Sequence, residues 1–469
     1  MAWGAPRGID DIIARVRAND ASLASLYLMR QRRFELADAN ALCAALVENT
    51  VLDDLNISSH AVSPEIAAAF ASLLASTAAL KSLDLGNASF GDQASNRMGL
   101  SALCPGIASS RSLLRLNLEN KGLTASGCIH LAEALATNSS LQELILTRNN
   151  IGEQGLAALC PALGTLQILS LTECGLSGTD SGAILSTLLS TSSSLKVLRL
   201  EDNTALDANF MNALSPGLAV SSSLQELYLR GCPLQSEGIA TLFFNLPSAL
   251  SHLDISGTDL GTEGLISATV ALAERSGGAQ LNLRRLVACG CGGDDLSIGA
   301  LIVALTTEQC CSSQGIYLDF SGNAAGLLTL TALAHCPQLR AVCLHDCKLG
   351  FEGGDALYYQ ILGLNVAVDD SDDEIQAGTF FDLQELDISA NALESTQLVN
   401  ILDALQTTSD TCCPTLRQLV IAANPGAMEK DVTDAIERLQ AVRTGLDVVR
   451  RSADTGERDG HNNNNNNTS

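Results

Sequence analysis

Aromatic side chains are scarce, with Phe, Tyr and Trp together making up 3 % of the 469 residues and Trp occurring once. A core of ordinary globular build leans on those rings for bulk. This one must instead be assembled from aliphatic side chains, chiefly Leu and Ala, on a regular lattice. No apolar run approaches the ~18 residues that a membrane-spanning helix needs. The stretch Met1–Asp20 carries Arg7, Asp10, Asp11, Arg15 and Arg17 without an apolar segment, so no secretory signal is expected there. Basic residues are also few: 27 Lys and Arg stand against 52 Asp and Glu, for a net charge of −25. Nucleic-acid affinity comes from cations that neutralise phosphates, and anionic lipid surfaces attract the same groups. Neither is therefore the expected partner, whereas a protein with a basic surface suits the charge. Fifteen cysteines without a secretory signal are expected to stay reduced, which sets a cytoplasmic, or alternatively nuclear, location.

Chemistry-bearing motifs are missing as well. The chain has no G-x-x-x-x-G-K-[ST], G-x-G-x-x-G or G-x-S-x-G. Its six histidines, His60, His130, His252, His335, His345 and His461, fall in separate stretches with no i, i+4 pair. The pairs Cys289/Cys291, Cys310/Cys311 and Cys412/Cys413 lack the doubled C-x-x-C spacing of a structural zinc site. The expectation is a chain that is not an enzyme and holds no cofactor or metal.

What is present is a repeat. The frame L-x-x-L-x-L, with substitutions, starts at 23, 52, 80, 113, 141, 166, 195, 224, 250, 283, 315, 339, 383 and 416. Leu141–Leu144–Leu146 and Leu224–Leu227–Leu229 are full copies, while Gly315 opens a weak one. Spacings run mostly between 24 and 33 residues, with one of 44. Alternating leucines point inward from a short strand, and the residues between them face outward. The second half of each unit, for example Gly155–Leu163, has apolar residues three and four apart and reads as a helix. A unit of this size cannot bury its own apolar face, so it is stable only when stacked on neighbours. The fold predicted is α/β: a curved leucine-rich-repeat solenoid, or horseshoe, of about 14 repeats with an inner parallel sheet and outer helices.

From the fifth unit on, the residue eight places after each frame start reads Asn149, Cys174, Asn203, Cys232, Thr258, Cys291, Asn323, Cys347, Asn391 and Asn424. A buried turn position needs a small side chain that satisfies backbone groups, which Asn does fully and Cys weakly. This near-alternation, with the segments Asn149–Cys160 and Cys347–Gly354, resembles the ribonuclease-inhibitor type of leucine-rich repeat over roughly residues 20–430. The resemblance implies the fold and leaves the partner open.

The solenoid is assigned to 23–427, after an amino-terminal helical cap at 1–22 in which Ile9, Ile12, Ile13 and Val16 share one side. Residues 428–451 are expected to close it as an amphipathic helix, and 452–469, ending in six asparagines, to be a disordered tail. An acidic insertion at 366–381, containing Val368–Ile375, accounts for the long spacing and reads as a solvated loop. The segment Ile12–Leu23 followed by Ala41–Thr50 is similar to the opening of the tropomodulin repeat domain. That similarity implies an actin-linked adaptor as one alternative.

In such a unit the residues two, four, six and seven places after the frame start line the open strand face. The residues expected to bind protein there are Glu143, Arg148, Glu173, Arg199, Glu201, Asp202, Glu226, Tyr228, Arg230 and Asp254. Glu173, Glu201 and Glu226 are expected to form one acidic row, with Tyr228 as the large aromatic anchor between Arg199 and Arg230. The chain is thus read as a monomeric scaffold that binds a basic protein on an acid-rich concave face. A further alternative is a GTPase-activating protein similar to the Ran activators, whose arginine on an early loop would correspond to Arg97 in the long third unit.

Overall fold

The computed structural model describes residues 8–92, 99–275, 281–307, 310–364, 380 and 382–451, with the backbone of 366–367 and 374–375. The chain forms two compact units, Met1–Thr258 with Gly277–Leu281, and Asp259–Ser276 with Asn282–Ser469. Each is a stack of strand–turn–helix repeats, the α/β repeat architecture that the leucine spacing predicts.

The first unit has strands β1 (Ser25–Tyr27), β2 (Asp54–Ile57), β3 (Ser82–Leu85), β4 (Arg115–Asn117) and β5 (Glu143–Ile145). It continues with β6 (Ile168–Ser170), β7 (Val197–Arg199), β8 (Glu226–Tyr228) and β9 (His252–Asp254). Its helices are α1 (Asp10–Arg17), α2 (Leu36–Val47), α3 (Pro64–Leu74), α4 (Gly99–Ser109) and α5 (Ala125–Leu135). Four more follow: α6 (Gly152–Leu159), α7 (Gly178–Thr191), α8 (Ala208–Val220) and α9 (Gln235–Phe244). The nine strands pair in parallel in chain order.

The second unit begins with α10 (Gly261–Glu274), β10 (Arg285–Val287), α11 (Asp295–Thr307), β11 (Ile316–Asp319) and α12 (Leu327–Ala334). Next come β12 (Leu339–Cys343), α13 (Gly350–Leu362), β13 (Val366–Ala367) and β14 (Glu374–Ile375). It ends with β15 (Glu385–Asp387), α14 (Ser395–Thr407), β16 (Gln418–Val420), α15 (Lys430–Val442) and β17 (Asp447–Val449). Here β10, β11, β12, β15, β16 and β17 form the parallel stack, and β13 pairs with β14 antiparallel outside it. Among the described residues no helix is long and apolar enough to cross a membrane.

Two expectations change. The helix expected up to residue 451 stops at Val442, and Asp447–Val449 adds a strand beside β16. Leu446 and Val449 continue the helical spacing but bury beyond the helix end, Val449 as a residue of the strand. The insertion at 366–381, read as a loop, carries the β13–β14 pair, with Val366 opposite Ile375. Residues 452–469 lie outside the described residues.

In β5–β9 the central leucine is fully buried. Leu144, Leu169, Leu198, Leu227 and Leu253 have no exposed surface, and each such side chain contributes about 2 kcal/mol by leaving water. Helix α8 carries Pro216 followed by Gly217. A Cβ at Gly217 would collide with the Ser186 backbone, so glycine lets α7 and α8 close on each other.

The turn position holds the stack together. Asn203 Oδ1 accepts the N–H groups of Cys174 (3.0 Å) and Leu176 (3.2 Å) in the preceding repeat, while Nδ2 donates to Leu171 and Leu200 carbonyls at 2.8 Å each. Asn149, Asn323 and Asn424 repeat this set. Cysteine at the same position reaches back with its thiol, Cys174 Sγ donating to the Leu146 carbonyl at 3.2 Å and Cys232 Sγ to that of Leu200 at 3.3 Å, with longer contacts to their own turns. The N–H groups of Cys174, Cys291 and Cys347 are taken by the asparagine of the next repeat, while that of Cys232, followed by Thr258, goes to the Leu229 carbonyl.

Burial pushes the thiols of Cys174, Cys232 and Cys347 up to about 12. At mildly alkaline pH they should therefore resist iodoacetamide in the native chain and react once guanidinium unfolds it, as peptide mass mapping would show. Asn203→Ala strands two donors and two acceptors and is expected to cost about 2–4 kcal/mol, against about 1 kcal/mol for Cys232→Ala. Equal losses in urea unfolding would contradict this ladder.

Candidate protein-binding face

In the first unit the strand residues flanking each buried leucine are mostly half-exposed, and they build a face in regular rows. Strand register sets Arg115, Glu143, Ile168, Val197, Glu226 and His252 in one row. Beside it run Asn117, Ile145, Ser170, Arg199, Tyr228 and Asp254. At the outer margin Asn120, Arg148, Glu173 and Asp202 all have positive φ, between 51° and 59°. The chain turns off the strand there in a left-handed conformation, which asparagine and aspartate tolerate and arginine and glutamate resist.

These rows separate the three glutamates expected to align. Glu226 lies opposite Val197, Glu173 belongs to the left-handed margin, and Glu201 lies one residue before that margin. Frame positions two, six and seven are different rows, so no acidic row forms.

The acids are instead largely matched. Arg115 Nε meets Glu143 Oε1 at 3.1 Å, and Arg148 bridges Glu173 (3.1 Å) and Glu119 (3.6 Å). Glu201, 8 % exposed, takes Arg199 Nη1 at 3.3 Å and the Thr172 hydroxyl at 2.7 Å. Exposed pairs of this kind contribute at most about 1 kcal/mol each. Their effect is to fix side-chain positions and lower the face's net charge. Asp202 and Arg230 stand exposed, and half-exposed Asp254 accepts the Ser256 N–H at 2.9 Å.

Tyr228 is not a projecting anchor. Only 8 % exposed, it lies under the Arg199 guanidinium, whose carbon is 3.9 Å from the ring centroid. Its hydroxyl donates to Glu226 Oε2 at 2.8 Å, and the His252 ring lies 4.8 Å away. Arg199, Glu201, Glu226 and Tyr228 thus come together, with His252 and Thr172, neither of them among the expected binding residues, beside them. Arg97 lies outside the described residues.

Two further groups were missed. In the second unit Arg285 stacks on Tyr317 at 4.6 Å, and the Tyr317 hydroxyl donates to Asp319 Oδ2 at 3.1 Å, an Arg–Tyr–acid arrangement of the kind Tyr228 makes in the first. The weak frame at Gly315 hid it. In the first unit Lys121 occupies the turn position that from the fifth repeat on is taken by Asn or Cys and once by Thr258. It is 2 % exposed, and its Nζ lies 2.6 Å from Asp84 Oδ1 and 2.6 Å from the Gly86 carbonyl. Asn56 and Asn117 also donate to Asp84, whose carboxyl burial pushes above the usual range, against the pull of Lys121. The signal was available: lysine stands where the ladder demands a small amide or thiol.

The comparisons with known proteins follow this geometry. The sequence matches the Leucine Rich repeat family at residues 137–160, 220–243 and 249–267. Over 464 residues it is 27 % identical to ribonuclease inhibitor of Sus scrofa, an alignment covering 94 % of this chain and 91 % of that protein. It is 36 % identical over 240 residues to NACHT, LRR and PYD domains-containing protein 3 of Rattus norvegicus, half of this chain but 22 % of that one. A solved structure of the Rad7 and Elc1 complex in yeast aligns over 90 % of both chains at 17 % identity and a TM-score of 0.47. Repeated leucine strands, turn ladder and family match define a leucine-rich-repeat protein. Its unit lengths, Asn/Cys alternation and near full-length similarity to ribonuclease inhibitor make it one of the ribonuclease-inhibitor-like type.

The buried pair yields a test. Asp84→Ala leaves the Lys121 ammonium without its counter-charge and is expected to cost about 3–5 kcal/mol, most of it recovered in Asp84→Ala/Lys121→Met. Urea unfolding of the two variants checks this, and a double variant no more stable than the single one would contradict the assignment.

Proposed function

We propose that this chain is a non-catalytic scaffold that binds a protein with a basic contact surface on the strand face of its first unit. The observation that carries the proposal is the ordered platform on β7–β9. Arg199, Tyr228, Glu226 and His252 hold one another in place, while Asp202, Arg230 and half-exposed Asp254 remain around them to meet a partner. A platform already fixed loses little side-chain entropy on association. Tyrosine and arginine are the side chains that most often supply binding energy at interfaces.

Two lines support the reading. Leucine-rich-repeat proteins such as these relatives are in general binders, and ribonuclease inhibitor is by its name a protein that acts on another protein. The net charge of −25 favours encounter with a cationic surface, and Asp202 and Asp254 offer carboxylates free of an ion pair among the described residues.

The test begins with a partner recovered from native extract by the full chain, followed by calorimetry on the purified pair. Asp202→Lys/Asp254→Lys is expected to weaken binding about 10- to 100-fold, equivalent to about 1.4–2.7 kcal/mol. Binding that survives both changes, and also Arg230→Glu, would sink the proposed face. A small GTPase as partner, with accelerated hydrolysis lost on Arg97→Ala, would replace this reading with the activating-protein one.

A further inference from the structure

The second unit carries a surface feature that a strand-face binder does not use. Helices α11, α12 and α13 each place an apolar side chain at their second residue: Leu296, Leu328 and Phe351. These are 58 %, 40 % and 65 % exposed. Scattered apolar residues on a surface need no explanation, but a contiguous patch marks a contact site. Here the same position in three consecutive repeats forms a stripe, and Tyr359, 39 % exposed and farther along α13, extends it.

A cleft of about 680 Å³ opens beside the stripe, with Leu327, Leu349, Phe351, Ala356 and Tyr359 in its lining. That volume lies within the range of pockets that hold a ligand or a large side chain. The charged residues of the lining are Asp294, Asp295, Glu352 and Asp355 against a single cation, Lys348. Two of those acids are committed locally. Asp295 caps α12 by accepting the N–H groups of Gly326, Leu328 and Thr329, and Asp294 accepts that of Ser297. Glu352 and Asp355 have no ion-pair or hydrogen-bond partner among the described residues. Two uncommitted carboxylates on an apolar cleft repel an acidic occupant and favour a cationic one.

We propose that this cleft is a second docking surface, for a peptide segment of a protein partner in which one large apolar side chain is flanked by Lys or Arg. The apolar side chain enters beside Phe351 and Tyr359, and the flanking cations meet Glu352 and Asp355. The occupant is independent of the strand face, so the two sites can fail separately.

The probe is a fluorescein-labelled peptide, Arg-Lys-Phe-Leu-Lys-Arg, titrated with the full chain at about 0.15 M salt, where long-range attraction to a merely acidic protein is screened. Saturable anisotropy is expected, weakened about tenfold or more by Phe351→Ser and by Glu352→Lys/Asp355→Lys, and unchanged by Arg230→Glu. The altered side chains are exposed or half-exposed, so thermal unfolding should be unchanged in every variant. Equal binding by Phe351→Ser overturns the proposal. So does equal binding of Glu-Glu-Phe-Leu-Glu-Glu, or the absence of saturable binding of the basic peptide.

Discussion

A buried side-chain amide linking one repeat to the next is the interaction on which the remaining structure depends. Each turn leaves backbone donors and acceptors in an apolar interior where water cannot serve them, and an unmet group there costs about 1–3 kcal/mol. Asn149, Asn203, Asn323 and Asn424 answer that demand with one carboxamide each, reaching both their own turn and the one before. Because the amide spans two repeats, it fixes their relative register as well as their stability. Cys174, Cys291 and Cys347 share the position with an asparagine following, whereas Cys232, followed by Thr258, gives its N–H to Leu229 of its own turn.

That register is what gives the strand face its chemistry. Once neighbouring strands are locked, side chains from residues some 25 to 30 apart become adjacent, and the face acquires contacts no local stretch contains. Arg148 reaches Glu119 and Glu173 across two repeats, and Arg199 covers Tyr228 across one. The result is a surface of fixed and mostly matched charges, on which Asp202, Arg230 and Asp254 stand without an ion pair among the described residues. In the proposed function, specificity would rest on a few groups held by many, which suits recognition of a folded partner.

The repeat, its strand and helix halves and the inward leucines were legible because period-two and helical patterns are properties of the chain itself. Where the pattern weakens, so did the reading. Gly315 masked a strand that carries Tyr317, and a helix-like run past Val442 concealed the strand Asp447–Val449. Lys121 was visible as a departure from the ladder, but its partner Asp84, in the preceding repeat, was not.

The sequence by itself determined the architecture: fourteen leucine frames, an amide-bearing turn and a preference for stacking, all set by local periodicity and by the need to bury leucine. Only the tertiary structure decided which charges are free. Glu173, Glu201 and Glu226 share a residue type and nearby repeats, yet one is bridged by Arg148, one is buried under Arg199 and one accepts a tyrosine hydroxyl. The reason is geometric. Ion pairing and burial depend on distances between repeats, and a one-dimensional pattern fixes which face a residue occupies without fixing which neighbour it meets.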